Sequence, residues 1–472
     1  MVSVDVSVGN LSNKIYKQCI AAAGALLIML QTGIMSGWTS PNIARLTADN
    51  ATIPLTLTEA SWVASCLNLG RFASAVIVPI FIELIGSKTT VLVSFIPVSI
   101  SWLLMIFVNS PAWLYIARFF GGISFGMAYG CFSLFLGEVS MPAYRGTFIT
   151  IAMCGAPLGT VFATIGETYL PMMTSSAIYL VQCLAGIILF LWLPDSAHHL
   201  VKMKQIDKAR ESICWYRGNN ELDKELNQIT SFVETYANET LSEKMSQLKS
   251  APIRKALLLA VVLFIFPQMC GLFNIMFYME IILQNGKSFL INPQEFVIYA
   301  NTVAVFSTFI AIKLIDYSGR RLLLFSSSVI VAIAMTSLGT HFYLLDLGYD
   351  SSALQWLPIA SILLFMIGFT IGFMIVPATV FSEIFPAGIK STASSISTFT
   401  SALFGFVSAK SYQPMVDSFG EAYVFWIHAV FAILAVPVTM FMLPETKGKN
   451  FQEIQDLFHK KKTIYVTKKN KP

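Results

Sequence analysis

Charge is scarce in this sequence. Of 472 residues only 12% are Asp, Glu, Lys or Arg, while 55% are hydrophobic; a globule that folds in water carries roughly 25% charged residues. The shortage excludes a soluble domain. Paired cysteines are missing too. The seven cysteines are odd in number, form no CxxC pair and fall mostly in apolar stretches, so neither a disulfide framework nor a zinc site is expected. No metal cluster, phosphate loop or nucleic-acid module is found, and no metal, cofactor or nucleic acid is expected. The polar N-terminal segment lacks the pattern of a cleavable signal peptide, so the first apolar stretch, Ile20 to Gly37, is expected to remain as an anchor. One motif is a decoy. Gly122-Ile123-Ser124-Phe125-Gly126 spells GxSxG, but a nucleophile elbow needs a strand, a turn and a partner histidine. Here it lies in an apolar helix, where Gly122, Gly126 and Gly130 make a stripe for close helix packing. His341 and His428 are lone histidines in or near apolar stretches and read as packing residues.

What the chain has in abundance is apolar runs of about 20 residues, each long enough to cross a ~30 Å hydrocarbon core. In lipid the backbone must satisfy its own polar groups, so these runs are helices. Twelve are read, the first near 18–37 and the last near 421–443. Most connections are short. The exception is Asp195 to Lys255, which divides the spans six and six and carries ten of the Lys and Arg residues. Its segment Asp207 to Gly218 has apolar residues at helical spacing and a glycine stop, which predicts an amphipathic helix over the membrane domain. With both termini and this loop in the cytosol, about 25 of the 31 Lys and Arg residues share that side. The division expected is residues 1–194, a linker at 195–255, residues 256–443 and a tail at 444–472. The Asn50-Ala51-Thr52 sequon falls in the first outer loop and makes Asn50 a glycosylation candidate. Sequons at Asn10 and Asn238 fall on the cytosolic side and should be silent. The Lys460 to Lys462 run is read as a solvated tail that leans on anionic lipid.

Short charged motifs sit where spans meet the presumed cytosol, in matched positions of the two halves. Glu83-Leu84-Ile85-Gly86-Ser87-Lys88 follows span 2, and Asp316-Tyr317-Ser318-Gly319-Arg320-Arg321 follows span 8. Span 4 ends in Glu138 with Arg145 seven residues on; span 10 ends in Glu383 with Lys390 seven residues on. Pro194-Asp195-Ser196 after span 6 answers Pro444-Glu445-Thr446-Lys447-Gly448 after span 12. Such duplication marks an internal repeat. Together these residues resemble the sugar porter branch of the major facilitator superfamily, over nearly the whole chain. Cys214 to Gly218, Ser382 to Ser391 and Trp38 to Pro41 are similar to the insect facilitated trehalose and hexose carriers. The resemblance implies an all-α membrane protein with twelve transmembrane helices in two six-helix halves, not an enzyme. It also implies alternating access of a sugar or similar polyol at the cell membrane, with sugar and lipid as partners. Proton-coupled or non-sugar transport, and a non-transporting nutrient sensor, stay open as alternatives, as does oligomeric state. In the family the edge motifs join the halves on the cytosolic side and break to open it. Glu138, Arg145, Asp316, Arg320, Arg321, Glu383 and Lys390 are the residues expected in that role; anchoring at lipid headgroups is the alternative.

The family's sugar contacts lie in span 7. Gln268, Asn274 and Tyr278 fit its pattern Gln-Gln-x-x-Gly-x-Asn-x-x-x-Tyr, and Asn301 in span 8 stands one turn from a usual asparagine. Amides in lipid-embedded helices need partners, so helix-to-helix hydrogen bonding is the competing role. Other expected donors are absent: Met269, Met153, Ala304, Ala378, Ser401 and Ala402 replace them. The cavity is therefore expected to be roomier and more apolar than a glucose carrier's. Met35 stands where proton symporters of the family have aspartate, which favours uniport. Two charges lie inside spans, Glu280 and Arg71. Each is a candidate for coupling or for an anion site, and the two are candidates to pair. Arg118 is read as structural.

Overall fold

In the computed structural model the described residues are 3–218, 222–237, 250–385, 387–447, 449, 453, 454 and 458. Among them there is helix and turn but no strand. Asn238 and the Lys460 to Lys462 run lie outside the described residues, and the side chains of Asn10 and Asp316 lie outside what is described.

Ten helices are long and apolar enough to cross a bilayer. One of them, Leu57–Ile106, has 50 residues, about 75 Å at 1.5 Å per residue, well over twice a ~30 Å bilayer core. It holds spans 2 and 3, divided at Gly86, where φ is 81° and ψ 168°. Ala387–Phe419 completes the set as span 11. The others are span 1 (Ser3–Gly37, continued by Thr39–Leu46), span 4 (Pro111–Val139) and span 5 (Arg145–Met153 and Gly155–Tyr169). Span 6 is Met172–Trp192, span 7 is Ala251–Met269 and Leu272–Asn285, and span 8 is Pro293–Ser318. Span 9 is Arg320–Asp346, span 10 runs from Trp356 to Ile384 and span 12 is Glu421–Phe441. Between the halves lie linker helices Ala197–Lys202, Ile206–Arg217 and Leu222–Ala237.

Local chemistry explains the ends. Thr56 and Glu59 cap span 2 reciprocally, the Thr56 hydroxyl accepting from Glu59 N–H and the Glu59 carboxylate accepting from Thr56 N–H. Proline opens spans 4 and 8, where its missing N–H costs nothing. Close packing explains the glycine stripe. A Cβ at Gly122 would lie 2.0 Å from the Leu67 carbonyl oxygen, and one at Gly126 would lie 1.7 Å from Ser74 Oγ. Only glycine lets spans 2 and 4 approach this closely, so the GxSxG sequence is a packing surface. Arg118 is fully buried and binds the Met35 carbonyl (2.6 Å), Thr39 Oγ1 (2.6 Å) and the Val63 carbonyl (3.3 Å). It thus satisfies the backbone at the bend after span 1.

Span 1 packs on span 5, span 2 on span 4, span 3 on span 6, and span 9 on spans 10 and 12. The halves meet where span 2 packs on span 11, span 5 on span 8, and Thr39–Leu46 on the outer half of span 7. The linker docks on the first half at the face that carries both termini.

Candidate functional site

Span 7 breaks in the middle of the molecule. Gly271 takes φ of 89°, which a side chain rarely tolerates. His428 of span 12 lies against this break. Its Nδ1 is 2.7 Å from the Met269 carbonyl oxygen and its Nε2 is 2.6 Å from Asn274 Nδ2. A carbonyl only accepts, so Nδ1 carries hydrogen; the neutral ring then accepts from the Asn274 amide at Nε2. Asn274 is therefore engaged through its nitrogen, while its Oδ1 is buried with no hydrogen-bond partner among the described residues. Gln268 Oε1 is in the same condition one helical segment earlier. Tyr278 stacks on Tyr412 of span 11 at 4.5 Å, and neither hydroxyl has a partner among the described residues. Asn301 bonds back to its own helix, Nδ2 to the Val297 carbonyl at 2.8 Å. Span 7 thus gathers three expected residues around one break, whereas Asn301 is occupied locally.

The two intramembrane charges do not pair. Arg71 Nη1 donates to Asn68 Oδ1 at 2.7 Å, and its guanidinium lies 4.7 Å from the Phe125 ring and 5.4 Å from the Phe273 ring. Glu280 accepts from Gln284 at 3.3 Å, and its backbone N–H donates to Ser40 Oγ at 3.1 Å. Seven residues separate Phe273 from Glu280, about 10 Å along a helix, which puts the carboxylate in the outer half of span 7. The prospect of an Arg71–Glu280 pair is corrected for that reason.

The edge motifs at the terminal face build two related networks. In the second half, Arg320 Nη2 meets Glu383 Oε1 at 2.7 Å. Glu445 accepts from the backbone N–H groups of Arg320 and Arg321, both at 3.1 Å. It therefore caps the start of span 9, where unpaired N–H groups and the helix dipole favour an anion. Burial opposes charge on Glu445, but the N–H groups of Lys447, Arg321, Arg320 and Thr446 outweigh it and hold the carboxyl below its ordinary range. Gly319 is required here, because φ is 80° and a Cβ would come within 2.7 Å of Glu445 Oε2. Arg321 also reaches the Met440 carbonyl, and Lys390 Nζ donates to the Ser382 carbonyl at 3.0 Å.

The first half repeats the plan with weaker chemistry. Gly86 matches Gly319 in φ, 81° against 80°, but faces His199 rather than a carboxylate. Ser87 Oγ donates to Glu138 where Arg320 meets Glu383. Asp195 takes the place of Glu445, accepting from Thr89 Oγ1 at 3.2 Å and lying 3.6 Å from Lys88. The cation missing at Ser87 is supplied by the linker. Arg217 donates to the Glu138 and Val139 carbonyls at 2.5 and 3.2 Å, at the C-terminal end of span 4, and pairs with Glu225. Burial, then the neighbouring Arg145, lower the Arg217 pKa to about 10, so it stays charged at neutral pH. Arg145 itself is exposed and makes no ion pair among the described residues. Arg217, His428 and Asn68 were not among the site residues read from sequence. Arg217 lay in a segment of family resemblance, which was the one available signal.

Contact between halves runs from the other face to the middle of the molecule. Asn68 Nδ2 donates to the Gly405 carbonyl at 3.2 Å, Phe72 lies 4.3 Å from Phe399, and Lys410 Nζ sits 4.2 Å over the Trp62 ring and 3.3 Å from Ser61 Oγ. The Ser40–Glu280 bond adds a fourth link. By contrast, no ion pair among the described residues joins the halves at the terminal face. In this arrangement the ion pairs at that face lie within each half, and the bridges expected when the terminal side is closed are not formed among the described residues. Asn50 is exposed in a turn on the face opposite the termini.

Comparison with known proteins agrees with this architecture. The xylose transporter XylE of E. coli in an inward open conformation superposes with a TM-score of 0.75 at 18% identity, over 94% of this chain and 100% of that one. The proton:xylose symporter XylE bound to 6-bromo-6-deoxy-D-glucose gives 0.73 at 19%, over 95% and 99%. At that identity the likeness speaks for the twelve-helix fold. The facilitated trehalose transporter of Polypedilum vanderplanki is 30% identical over 447 residues, 93% of this chain and 88% of that protein. That of Bombyx mori is 29% identical over 443 residues, 93% and 86%. The Drosophila virilis relative is also 29% identical, but this chain spans only 48% of its length. The model of the sugar (and other) transporter family matches residues 17–458, and the chain belongs to that family of membrane carriers.

Proposed function

We propose that this protein is a facilitative carrier for a sugar or similar polyol in the cell membrane, with both termini in the cytosol. The halves 1–194 and 256–443 rock against each other, the linker 195–255 rides on the first half, and the tail from 444 steadies the second. The observation that carries this reading is the asymmetry of contact. Seam contacts join the halves opposite the termini, while the terminal-face networks stay within each half. A carrier held this way is shut on one side and free to open on the other, as alternating access requires. Glu138, Arg145, Asp316, Arg320, Arg321, Glu383 and Lys390 are assigned to the cytosolic gate. Gln268, Asn274 and Tyr278 are assigned to the ligand, with Asn301 in a supporting place. The unpartnered polar atoms of Gln268, Asn274 and Tyr278 suit a hydroxyl-rich solute. Met35 in place of an acid supports uniport. The insect relatives' names make trehalose the first sugar to try, with glucose as the simplest hexose beside it.

The experiment is uptake of labelled trehalose and glucose into proteoliposomes, with and without an inward proton gradient. Saturable uptake indifferent to the gradient is expected. Uptake that needs the gradient would overturn uniport, and Glu280 would then be the carboxylate to mutate.

A further inference from the structure

Arg71 is the one feature of the central region that a neutral sugar does not explain. It stands midway along span 2, half-buried, between Leu57 and the break at Gly86. No carboxylate lies within ion-pair distance of it among the described residues. Its compensation is one amide oxygen, Asn68 Oδ1 at 2.7 Å, and the faces of Phe125 and Phe273. A guanidinium carries five N–H donors, and one amide leaves most of them unmatched. At membrane depth such a charge calls for an anion. The position of a Cβ on Gly405 would be 2.9 Å from Phe273, 3.2 Å from Gln268 Oε1 and 3.4 Å from Asn68. Span 2, span 7 and span 11 therefore converge there, and the buried Gln268 Oε1 has no hydrogen-bond partner among the described residues.

We propose that the central site takes an anionic monosaccharide, whose carboxylate or phosphate is bound by Arg71, held in place by Asn68, while Gln268 serves its hydroxyls. The guanidinium fork matches a two-oxygen anion geometrically. The inference rests on the sugar-carrier reading and narrows its substrate class.

The test is uptake of labelled glucuronate, glucose 6-phosphate and glucose into proteoliposomes bearing the wild type, Arg71→Gln or Arg71→Lys. Saturable wild-type uptake of an anionic sugar is expected, with glucose the poorer substrate. Arg71→Gln should lower anionic uptake roughly 30-fold or more, leave glucose uptake within a few-fold, and be partly rescued by Arg71→Lys. Glucuronate alone would assign carboxylate, and glucose 6-phosphate alone phosphate. Glucose uptake that neither anion competes with would overturn the proposal and leave the sugar carrier standing. Equal loss of neutral and anionic uptake in Arg71→Gln would make Arg71 structural and overturn it as well. If nothing is transported, thermal shift of the purified wild type decides. A shift with an anionic sugar alone supports the proposal; no shift with either anion overturns it, and a shift with glucose or trehalose then leaves the sugar carrier standing.

Discussion

Glu445 shows how much a single edge residue does. Its two oxygens hold the first N–H groups of span 9 and tie the tail to the second half. Replacing it with glutamine keeps the shape but removes the charge. Glu445→Gln is expected to destabilise the carrier by about 1 kcal/mol, the usual worth of a cap, read as a lower melting temperature in detergent. The pH dependence has a definite sign. The folded carboxyl ionises below its ordinary range, so its contribution is complete above the unfolded pKa and is lost as pH falls through the lower folded value. The melting temperature of wild type should drop across that acidic window, and Glu445→Gln should lack that component. If both proteins lose stability in parallel, Glu445 is not the cap described. Gly319→Ala tests the other side of the same contact. Positive φ and the approach to Glu445 make it costlier than an exposed glycine substitution, and expression of folded carrier should fall.

At the scale of elements, the linker helix Ile206–Arg217 is a cap for span 4 rather than a loose connector. Arg217 gives two charge-assisted hydrogen bonds to the last carbonyls of that span, each worth about 1.5–3 kcal/mol. Arg217→Gln should therefore loosen the linker. Faster hydrogen exchange over residues 206–217 is expected, with spans 7–12 unchanged. Unchanged exchange in the linker would mean that the Tyr216, Ser212 and Gln18 contacts hold it unaided. The helices themselves were legible in the sequence because lipid permits little else, and the paired edge motifs exposed the repeat. The break in span 7 was not legible in advance as a His428 site. Asn274 and His428 are 154 residues apart, and no local spacing reports a contact between distant helices. Gln268, Asn274 and Tyr278 could be read because they fall on one short motif. Asn301, read from register alone, turned out to bond its own helix. Arg71 and Glu280 stood out as charges, but their separation depends on depth along span 7, which composition does not encode.

For the whole molecule the question is what keeps one side closed. The contacts at the seam are few and chemically distinct: an amide to a carbonyl at Asn68, a cation over an indole at Lys410 and Trp62, an aromatic pair at Phe72 and Phe399. The Lys410–Trp62 pair is the outermost and bridges the halves directly. A cation–π contact is worth about 0.5–2 kcal/mol, enough to change the population ratio of two states by roughly 2- to 30-fold. Trp62→Ala should accordingly favour opening opposite the termini. Cys66, one helical turn on and buried, is a native probe of that event. A membrane-impermeant maleimide added to intact cells should label Cys66 several-fold faster in Trp62→Ala, with Lys410→Gln giving the same direction. Unchanged labelling in both variants would place the closing energy deeper, at Asn68 and the span 7 break. The gate would then be controlled by the residues that meet the ligand, and substrate binding and closure would be one event.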